Sequence, residues 1–411
     1  MITRIEASNF RCFQALAADM GEFELFVGAN GAGKSTLVTI PAFIHDVMLS
    51  GPEHAVFGKG AAGLVRALRA GDLVFGRQGQ YAELAIEVRL PYHVQKALRG
   101  RYSSARIEMT IELCDTSRPG LVYEALWLRP ERTAVEAHSG VSGDTHNSPD
   151  WRQVALRDTI NGVQWVSPEV GSHDPVSKKL LMRVSLLGSI DQDDSRFPAY
   201  VWIRSLLEMA SACYWLNPEK MRAACAPSNT ISLEGDGANL AWVVRNLAYQ
   251  DAERFQRWID HVRTALPEIQ RIEGIEREAD HHAFIRIHFA GGFTIDGPGL
   301  SDGTLRILGL TILAYAPPPP GTIVVEEPEV GVHPRGIEAI MQSLNGLYGA
   351  QVLVTTHSPV VVASCPAERI LVFQKEQNGA VTVIRGAEHP RLRDWYGSRD
   401  LGTLFAAGVF G

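Results

Sequence analysis

The stretch that most constrains this chain is a glycine-rich turn at 28–36, Gly28-Ala29-Asn30-Gly31-Ala32-Gly33-Lys34-Ser35-Thr36. An apolar, β-prone segment precedes it at 23–27, and residues 37–48 are apolar at helical spacing. Strand, turn and helix in this order fit the P-loop pattern G-x-x-x-x-G-K-[ST]. The glycines allow backbone N–H groups to turn inward around phosphate oxygens, and the helix adds the positive end of its dipole.

The P-loop pattern assigns separate roles to the residues of this turn. Lys34 is expected to reach the β- and γ-phosphates of a nucleotide, and the Ser35 hydroxyl is expected to bind Mg²⁺. The residues predicted to bind nucleotide here are Asn30, Gly31, Gly33, Lys34, Ser35 and Thr36.

An acidic cluster follows a buried strand much later in the chain. The apolar run 322–325 ends in Glu326-Glu327-Pro328-Glu329, which is what a Walker-B element requires. One carboxylate holds Mg²⁺, and the next polarises the attacking water in phosphoryl transfer. We therefore assign the metal to Glu326 and the water to Glu327, with Glu329 as a further candidate.

Two more elements lie at places where ligands commonly bind. One follows the carboxyl end of a strand of the kind found in parallel sheets, and the other is at the N-terminus of a helix. His357 follows the apolar strand 351–355 and is expected to contact the γ-phosphate or orient the water. In Leu300-Ser301-Asp302-Gly303-Thr304, Ser301 and Gly303 precede an apolar helix and can offer a hydroxyl and N–H groups to phosphate. Alone, Ser-Asp-Gly is also an ordinary turn and helix cap.

The patterning predicts an α/β fold, a P-loop ATPase head with a mixed or parallel core sheet. Alternation at 82–90, 105–113 and 121–128 predicts an antiparallel β subdomain beside the P-loop. Polar residues at 130–178 predict a long loop, and helices are expected over 196–215 and 239–265. No heptad pattern persists, so long coiled-coil arms are not expected. The predicted segments are 1–95 with the P-loop, 96–294 as a β-rich and helical insertion, and 295–411 with the later motifs.

Composition excludes several classes of protein. A net charge of −7 over 411 residues is not that of a globally basic nucleic-acid coat. Five scattered cysteines without a C-x-x-C pair suggest neither a zinc site nor a disulfide framework. The N-terminus lacks a signal-peptide pattern, and no apolar run reaches the length of a membrane span. A soluble cytoplasmic protein without a membrane partner is expected.

In this order the motifs resemble the ABC-type ATPases of the SMC, RecF and OLD class. The resemblance covers roughly 1–50 and 295–365. It is carried by Ile5–Arg11 before the P-loop, Leu300–Thr304 as signature motif, Glu326–Glu329 as Walker B, Gly331–Pro334 as D-loop and Thr356–Pro359 with the switch histidine. The Glu-Glu-Pro-Glu form and Asp236-Gly237-Ala238-Asn239-Leu240 resemble the OLD-like branch found in bacterial anti-phage systems.

The resemblance implies a homodimer that closes head-to-tail around two ATP molecules with Mg²⁺. Ser301 and Gly303 would then act in trans on the nucleotide held by the partner's P-loop. Arg11 would lie near the nucleotide's phosphates or base. Gln78 and Gln80 are candidates for the Q-loop glutamine of the family, with Gln14 as a third.

The chain departs from OLD nucleases, which carry a TOPRIM nuclease domain after the ATPase. Only about fifty residues follow His357, fewer than an ordinary domain needs. A separate effector protein, a nuclease or toxin, is therefore expected as the partner, with this chain as the ATP-dependent sensor or regulator of an anti-phage system.

Two alternatives remain open at the level of sequence. One is a RecF-like DNA repair clamp, for which Arg99 with Arg101, Lys178-Lys179 with Arg183, and Arg271 with Arg277 are the candidate DNA-binding residues. The other is a nucleotide-gated scaffold with little turnover. The pair Glu326-Glu327 disfavours the scaffold, because a scaffold needs no carboxylate to activate water.

Overall fold

The structure, a computed structural model, describes residues 1–59, 66–115, 117–130, 150–209, 213–228, 231–317, 321–390 and 401–408. The chain divides into two units, each assembled from separate segments. The first unit comprises Met1–Gly21, Ala29–Ser211 and Phe373–Ile384, and the second comprises Glu22–Gly28, Ala212–Val372 and Arg385–Gly411. The division into segments 1–95, 96–294 and 295–411, which rests on the order of the motifs, stays a prediction.

The first unit contains an eight-stranded sheet. Its strands are β1 (Ile2–Phe10), β2 (Phe13–Asp19), β4 (Tyr81–Arg89), β5 (Ser104–Glu112), β6 (Gly120–Arg129), β7 (Arg152–Asp158), β8 (Val163–Val166) and β9 (Val176–Ser177), in the order β2-β1-β4-β5-β6-β7-β8-β9. All neighbouring strands pair antiparallel. The antiparallel pairing predicted from alternation over 82–90, 105–113 and 121–128 is therefore confirmed.

One face of this sheet buries charges. Arg4, Glu6, Glu87, Arg106 and Glu108 are at most 6% exposed. The Arg106 guanidinium donates to Glu6 at 2.7 Å, Glu87 at 3.0 Å and Glu108 at 2.6 Å. Burial alone would lower the pKa of Arg106, but the bonds and charges of Glu6 and Glu108 outweigh it and raise the pKa. The polar positions of these strands are thus a paired network rather than a solvated face.

The loop predicted over 130–178 is wrong for its described part, because β7, β8 and β9 lie there; residues 131–149 are outside the described residues. The polar residues that suggested a loop are in part buried. Arg157 and Glu124 are fully buried and lie 3.2 Å apart. Paired charges inside a protein look the same in the sequence as solvated ones.

Among its described residues, the first unit has three α-helices: α1 (Lys34–Phe57), α2 (Tyr92–Ala97) and α3 (Pro198–Met209). Helix α1 follows the P-loop and carries a break at Gly51, whose φ is 81°. Whereas the sequence predicts that this helix fades near Gly51, it resumes after the break and ends at Phe57. The sequence also predicts a short helix around Leu64–Arg69. Residues 64 and 65 lie outside the described residues, and Arg66–Arg69 are not helical, so this prediction is wrong for its described part.

The second unit contains the predicted parallel sheet. Its strands are β3 (Phe23–Gly28), β10 (Cys213–Tyr214), β14 (Gly321–Glu326), β15 (Ala350–Thr356) and the start of β16 (Ile370–Lys375), in the order β10-β14-β15-β3-β16. Strand β17 (Val381–Arg385) belongs to the first unit except for Arg385. The pairs β10–β14, β14–β15 and β15–β3 are parallel. The helix predicted over 196–215 is wrong at its end, since Cys213 and Tyr214 pair with Val324 and Val325.

Helices and a small antiparallel sheet complete the second unit. The helices are α4 (Pro218–Arg222), α5 (Leu240–Gln250), α6 (Ala252–Ala265), α7 (Asp302–Ile312), α8 (Pro334–Asn345), α9 (Pro359–Ala363) and α10 (Leu401–Ala406). The sheet consists of β11 (Ile269–Glu276), β12 (Ala283–Phe289) and β13 (Thr294–Asp296). The single helix predicted over 239–265 divides at Asp251, whose side chain accepts the N–H of Arg254 at 2.9 Å and caps α6.

The longest helix among the described residues is α1, with 24 residues. No long coiled coil is present in this part of the chain. In the same residues no helix is both long and apolar enough to cross a membrane.

Glu169 gives the first unit a measurable pH dependence. Burial raises the pKa of this carboxyl from its usual 4.5 to about 7, although the N–H groups of Ala199 and Tyr200, at the start of α3, oppose the shift. Between these two pH values the folded state binds more protons than the unfolded state. The free energy of unfolding therefore falls by about 3 kcal/mol as the pH rises from about 4.5 through about 7.

Glu169→Gln is expected to remove this part of the pH dependence, because the amide cannot titrate. Urea unfolding midpoints at pH 5 and pH 8 measure it. Glu338→Gln, at an exposed position of α8, is the control and keeps the wild-type dependence. An equal change of the urea midpoint between pH 5 and pH 8 in wild type and in Glu169→Gln would contradict the raised pKa of Glu169.

Candidate functional site

The P-loop has the backbone geometry that an anion site requires. Gly31 and Gly33 adopt left-handed φ values of 75° and 89°, which L side chains rarely adopt. Gly33 is the N-cap of α1 and has no side chain with which to cap it, and the first turn of the helix contains no acidic residue. A helix start of this kind presents backbone N–H groups and the positive end of the helix dipole, which favour an anion.

Gly33 is also required for close packing. A Cβ at this position would lie 2.6 Å from the Sγ of Cys12, in the turn between β1 and β2. A larger residue would thus disturb both the left-handed turn and its contact with Cys12.

Lys34 is the first residue of α1 and is only 6% exposed. Its Nζ donates to the carbonyl oxygen of Ala29 at 3.1 Å, which folds the side chain back over the turn. Ser35 is exposed and Thr36 is half-buried. The turn therefore carries one ammonium group and one accessible hydroxyl.

Arg11 lies in the first unit with the P-loop residues 29–36. Its guanidinium donates to the carbonyl oxygen of Arg66 at 3.2 Å, and its N–H bonds Leu73 at 2.8 Å. Burial, followed by the charge of Arg66, lowers the pKa of Arg11. These contacts give Arg11 a structural role, and its contact with nucleotide stays a prediction.

The acidic cluster and the histidine lie in the second unit, at one edge of its parallel sheet. Glu326 pairs with Thr355, and Thr356 pairs with Val27. Strands β14, β15 and β3 therefore end together. Glu327, His357 and the start of the P-loop are the residues that follow these three ends.

Glu327 is held in an unusual backbone conformation, with a φ of 46°. Its N–H donates to the carbonyl oxygen of Thr355 at 3.0 Å, so the turn remains tied to β15. Its Oε1 lies 3.3 Å from the Nε2 of His357, and both side chains are partly exposed. The two groups predicted to act on water are thus adjacent.

Glu329 has a more specific place than the sequence indicated. Its Oε1 accepts the hydroxyl of Thr356 at 2.7 Å and the backbone N–H of His357 at 2.8 Å. Its Oε2 is buried and has no hydrogen-bond partner among the described residues. Glu329 therefore fixes the backbone of His357, and Thr356 is a member of the site that the sequence analysis missed. The only signal in the sequence was the third carboxylate in Glu-Glu-Pro-Glu.

The predicted signature motif surrounds the start of α7, also in the second unit. Ser301 is exposed, and its Oγ accepts the N–H of Thr304 at 3.1 Å as an N-cap. Arg222 donates to the carbonyl oxygen of Leu300 at 2.9 Å and forms an ion pair with Asp302. This arginine was not anticipated.

Gly303 has a packing reason to be glycine. A Cβ there would lie 2.5 Å from the carbonyl oxygen of Gly331, in the predicted D-loop. The signature helix and this loop are therefore in direct backbone contact.

The candidate DNA-binding residues differ in their surroundings. Arg271 forms an ion pair with Glu273 at 2.5 Å, and Arg277 pairs with Asp280 at 2.5 Å. Lys179 and Arg183 are exposed, and Lys178 is half-buried. The pair Arg271 and Arg277 is thus partly neutralised by neighbouring carboxylates.

Comparisons with known proteins give one family match over part of the chain and structural matches over most of it. The family model described as AAA domain, putative AbiEii toxin, Type IV TA system matches residues 222–363. A crystal structure of the SmcHead bound to the C-winged helix domain of ScpA covers 93% of this chain and 97% of its own, with a TM-score of 0.50 and 13% identity. The chain has the fold of an SMC-type ATPase head.

Other SMC-type heads align over similar lengths. The Smc head domain with an extended coiled coil from Pyrococcus furiosus has 15% identity and a TM-score of 0.44, covering 93% of this chain and 95% of its own. The SMC head domain from Thermotoga maritima has 11% identity and a TM-score of 0.40, covering 93% and 98%. No curated protein sequence matches the chain. The predicted α/β fold of an ATPase head is confirmed.

Proposed function

We propose that this SMC-type head binds and hydrolyses ATP. The observation that carries the proposal is the left-handed glycine turn at the start of α1, which follows β3 directly, together with Glu327 and His357, which follow β14 and β15 of the same parallel sheet. Each of these features has a defined task in phosphoryl transfer, which depends on positioning and on stabilisation of charge.

The proposed roles follow from the chemistry of each group. Asn30, Gly31, Gly33 and Thr36 shape the phosphate cradle, and Lys34 neutralises phosphate charge. Glu327 accepts the proton of the attacking water, and its neighbour His357 orients that water or contacts the γ-phosphate. Glu329 acts as a positioning residue, because it holds the His357 backbone.

The donor set suits magnesium. Ser35 offers an exposed hydroxyl and Glu326 a carboxylate, which are the hard oxygen donors that Mg²⁺ prefers. The described residues contain no cluster of three or more His, Cys, Asp or Glu that would hold a metal alone. This agrees with an ion that binds through few protein ligands together with substrate phosphates. When bound, Mg²⁺ supplies neutralisation of the charge on the phosphate oxygens.

We also propose that two chains close around ATP, with Ser301 and Gly303 acting in trans. Ser301 and Asp302 are exposed at the N-terminus of α7, so the positive end of this helix is accessible to a partner's γ-phosphate. Loss of the γ-phosphate on hydrolysis removes contacts that only the closed state makes and favours opening.

The biological role we propose is that of a cytoplasmic sensor or regulator in an anti-phage system, acting on a separate effector protein. The matched family is described by a putative AbiEii toxin of a type IV toxin–antitoxin system. The SmcHead structure contains a bound domain of a second protein, ScpA. Both support a head that works with a protein partner.

Ser301→Arg is expected to block ATP-dependent dimerisation while nucleotide binding by the monomer persists. The long charged side chain would occupy the surface that the partner's phosphate must reach. Light scattering with ATP in the Glu327→Gln background measures the dimer.

Ser301→Ala is the matched control, because it loses the same N-cap, worth about 1 kcal/mol, without adding bulk. It should still dimerise. An ATP-induced dimer of Ser301→Arg would contradict the action in trans and leave hydrolysis by the P-loop site untouched as a proposal.

A further inference from the structure

The first unit has a second basic pocket, separate from the P-loop motif in sequence. It lies between the turn after α2 and the segment that follows β8. The polar residues that line it are Arg99, Arg101, Tyr102, Arg152, Glu169 and His173. Arg99 and Arg101 come from one turn, and Arg152 and His173 from a much later part of the chain.

The turn after α2 presents two arginines on either side of a glycine. Arg99 and Gly100 have left-handed φ values of 58° and 67°. The N–H of Gly100 bonds the carbonyl oxygen of Gln95 at 2.8 Å, which closes the end of α2. The side chains of Arg99 and Arg101 are exposed. No carboxylate among the described residues forms an ion pair with either of them.

Arg152 forms the opposite wall and is bonded only to neutral groups in the described residues. Its guanidinium donates to the carbonyl oxygens of Glu169, at 2.7 Å, and Pro168, and lies 2.7 Å from the Nδ1 of His173. Burial lowers the pKa of Arg152, the charges of Tyr102 and Glu169 oppose this shift, and the charge of Arg101 adds to it. Among the described residues, the hydrogen-bond partners of the guanidinium are two carbonyl oxygens and an imidazole rather than a carboxylate.

Glu169 is the one acid in the lining, and its carboxylate is engaged elsewhere. Its oxygens accept the N–H groups of Ala199 at 2.6 Å and Tyr200 at 2.9 Å. With a pKa of about 7, it is half protonated at neutral pH. The pocket thus keeps a positive balance from three arginines.

We propose that this pocket binds a phosphate group of a ligand other than the nucleotide of the P-loop. Guanidinium groups match phosphate oxygens with paired N–H donors, and a site with three of them surrounds a dianion more closely than lysines would. Tyr102 adds a hydroxyl donor at the same wall. The phosphate is carried either by a soluble phosphorylated molecule or by a nucleic acid.

The test is calorimetric titration of the full chain with inorganic phosphate. Arg99→Ala/Arg101→Ala is compared with wild type and with Lys59→Ala/Arg118→Ala, a control that removes the same charge from exposed positions of the first unit outside the pocket. Any phosphate bound by the P-loop is common to all three proteins and cancels. We expect the arginine variant alone to lose binding, by about tenfold or more for the pocket. Both arginines are exposed, so the variant should keep the wild-type melting temperature.

Titration with a labelled single-stranded oligonucleotide at several salt concentrations distinguishes a soluble phosphorylated ligand from a nucleic acid as the carrier of the phosphate. Loss of phosphate binding with unchanged oligonucleotide binding assigns a soluble ligand. Weaker oligonucleotide binding with a smaller salt dependence assigns a nucleic acid. The proposal is wrong if Arg99→Ala/Arg101→Ala and the control Lys59→Ala/Arg118→Ala behave alike in both titrations.

Discussion

Lys34→Ala abolishes ATP binding, and with it turnover, if the P-loop assignment is correct. The ammonium group is held over the glycine turn by its bond to the carbonyl oxygen of Ala29, and the side chain is largely shielded from solvent. A charge-assisted contact with phosphate in such a site contributes about 3 kcal/mol, which is roughly a hundredfold in affinity. Titration with a fluorescent ATP analogue measures the loss directly.

Two controls make this result specific. Lys179→Ala removes an exposed lysine from the same unit and should bind ATP as wild type does. Lys34→Arg keeps the charge but changes its shape, and should retain part of the affinity. Thermal unfolding of Lys34→Ala without nucleotide shows whether the variant is folded. An unchanged affinity for ATP in a folded Lys34→Ala protein would contradict the assignment of this turn as a P-loop.

Glu327→Gln is expected to bind ATP but to lose hydrolysis by about a hundredfold to ten-thousandfold, the range of a general base. Glutamine has the same shape and keeps an oxygen or amide group 3.3 Å from His357, so the site should remain assembled. Only the ability to take a proton is lost. ATP should therefore accumulate on the protein, and single-turnover phosphate release measures the slower step.

The matched control for this variant is Glu338→Gln, on an exposed position of α8. It changes the same functional group away from the sheet edge and should release phosphate at the wild-type rate. If Glu327→Gln also failed to bind ATP, its effect would be on the structure of the turn, where Glu327 has a left-handed φ of 46°.

Much of the fold follows from local patterns in the sequence. Strands β4 and β5 alternate clearly in sequence and β6 does so more weakly, whereas β14 and β15 are continuous apolar runs of the kind buried in a parallel sheet. Strand β7 was missed because Arg157 reads as a solvated charge, whereas its carboxylate partner is Glu124 on the neighbouring strand. Periodicity cannot identify a partner that lies on another strand.

In the candidate site too, the sequence predicts local features but not contacts between separate elements. Single motifs predicted which residues follow the strand ends, because each motif is local. The bond from the His357 N–H to Glu329 joins residues 28 apart, and the close approach of Gly303 to Gly331 joins two separate elements. Such contacts depend on how the strands and helices pack, and no spacing in the sequence expresses them.

The measurement that tests the central claim most directly is steady-state phosphate release by wild type and Glu327→Gln with Mg²⁺ and saturating ATP. The account predicts turnover by wild type and near-complete loss in the variant, with ATP bound by both. Equal, near-zero rates in the two proteins would contradict it, and this head would then be a nucleotide-gated scaffold rather than an ATPase.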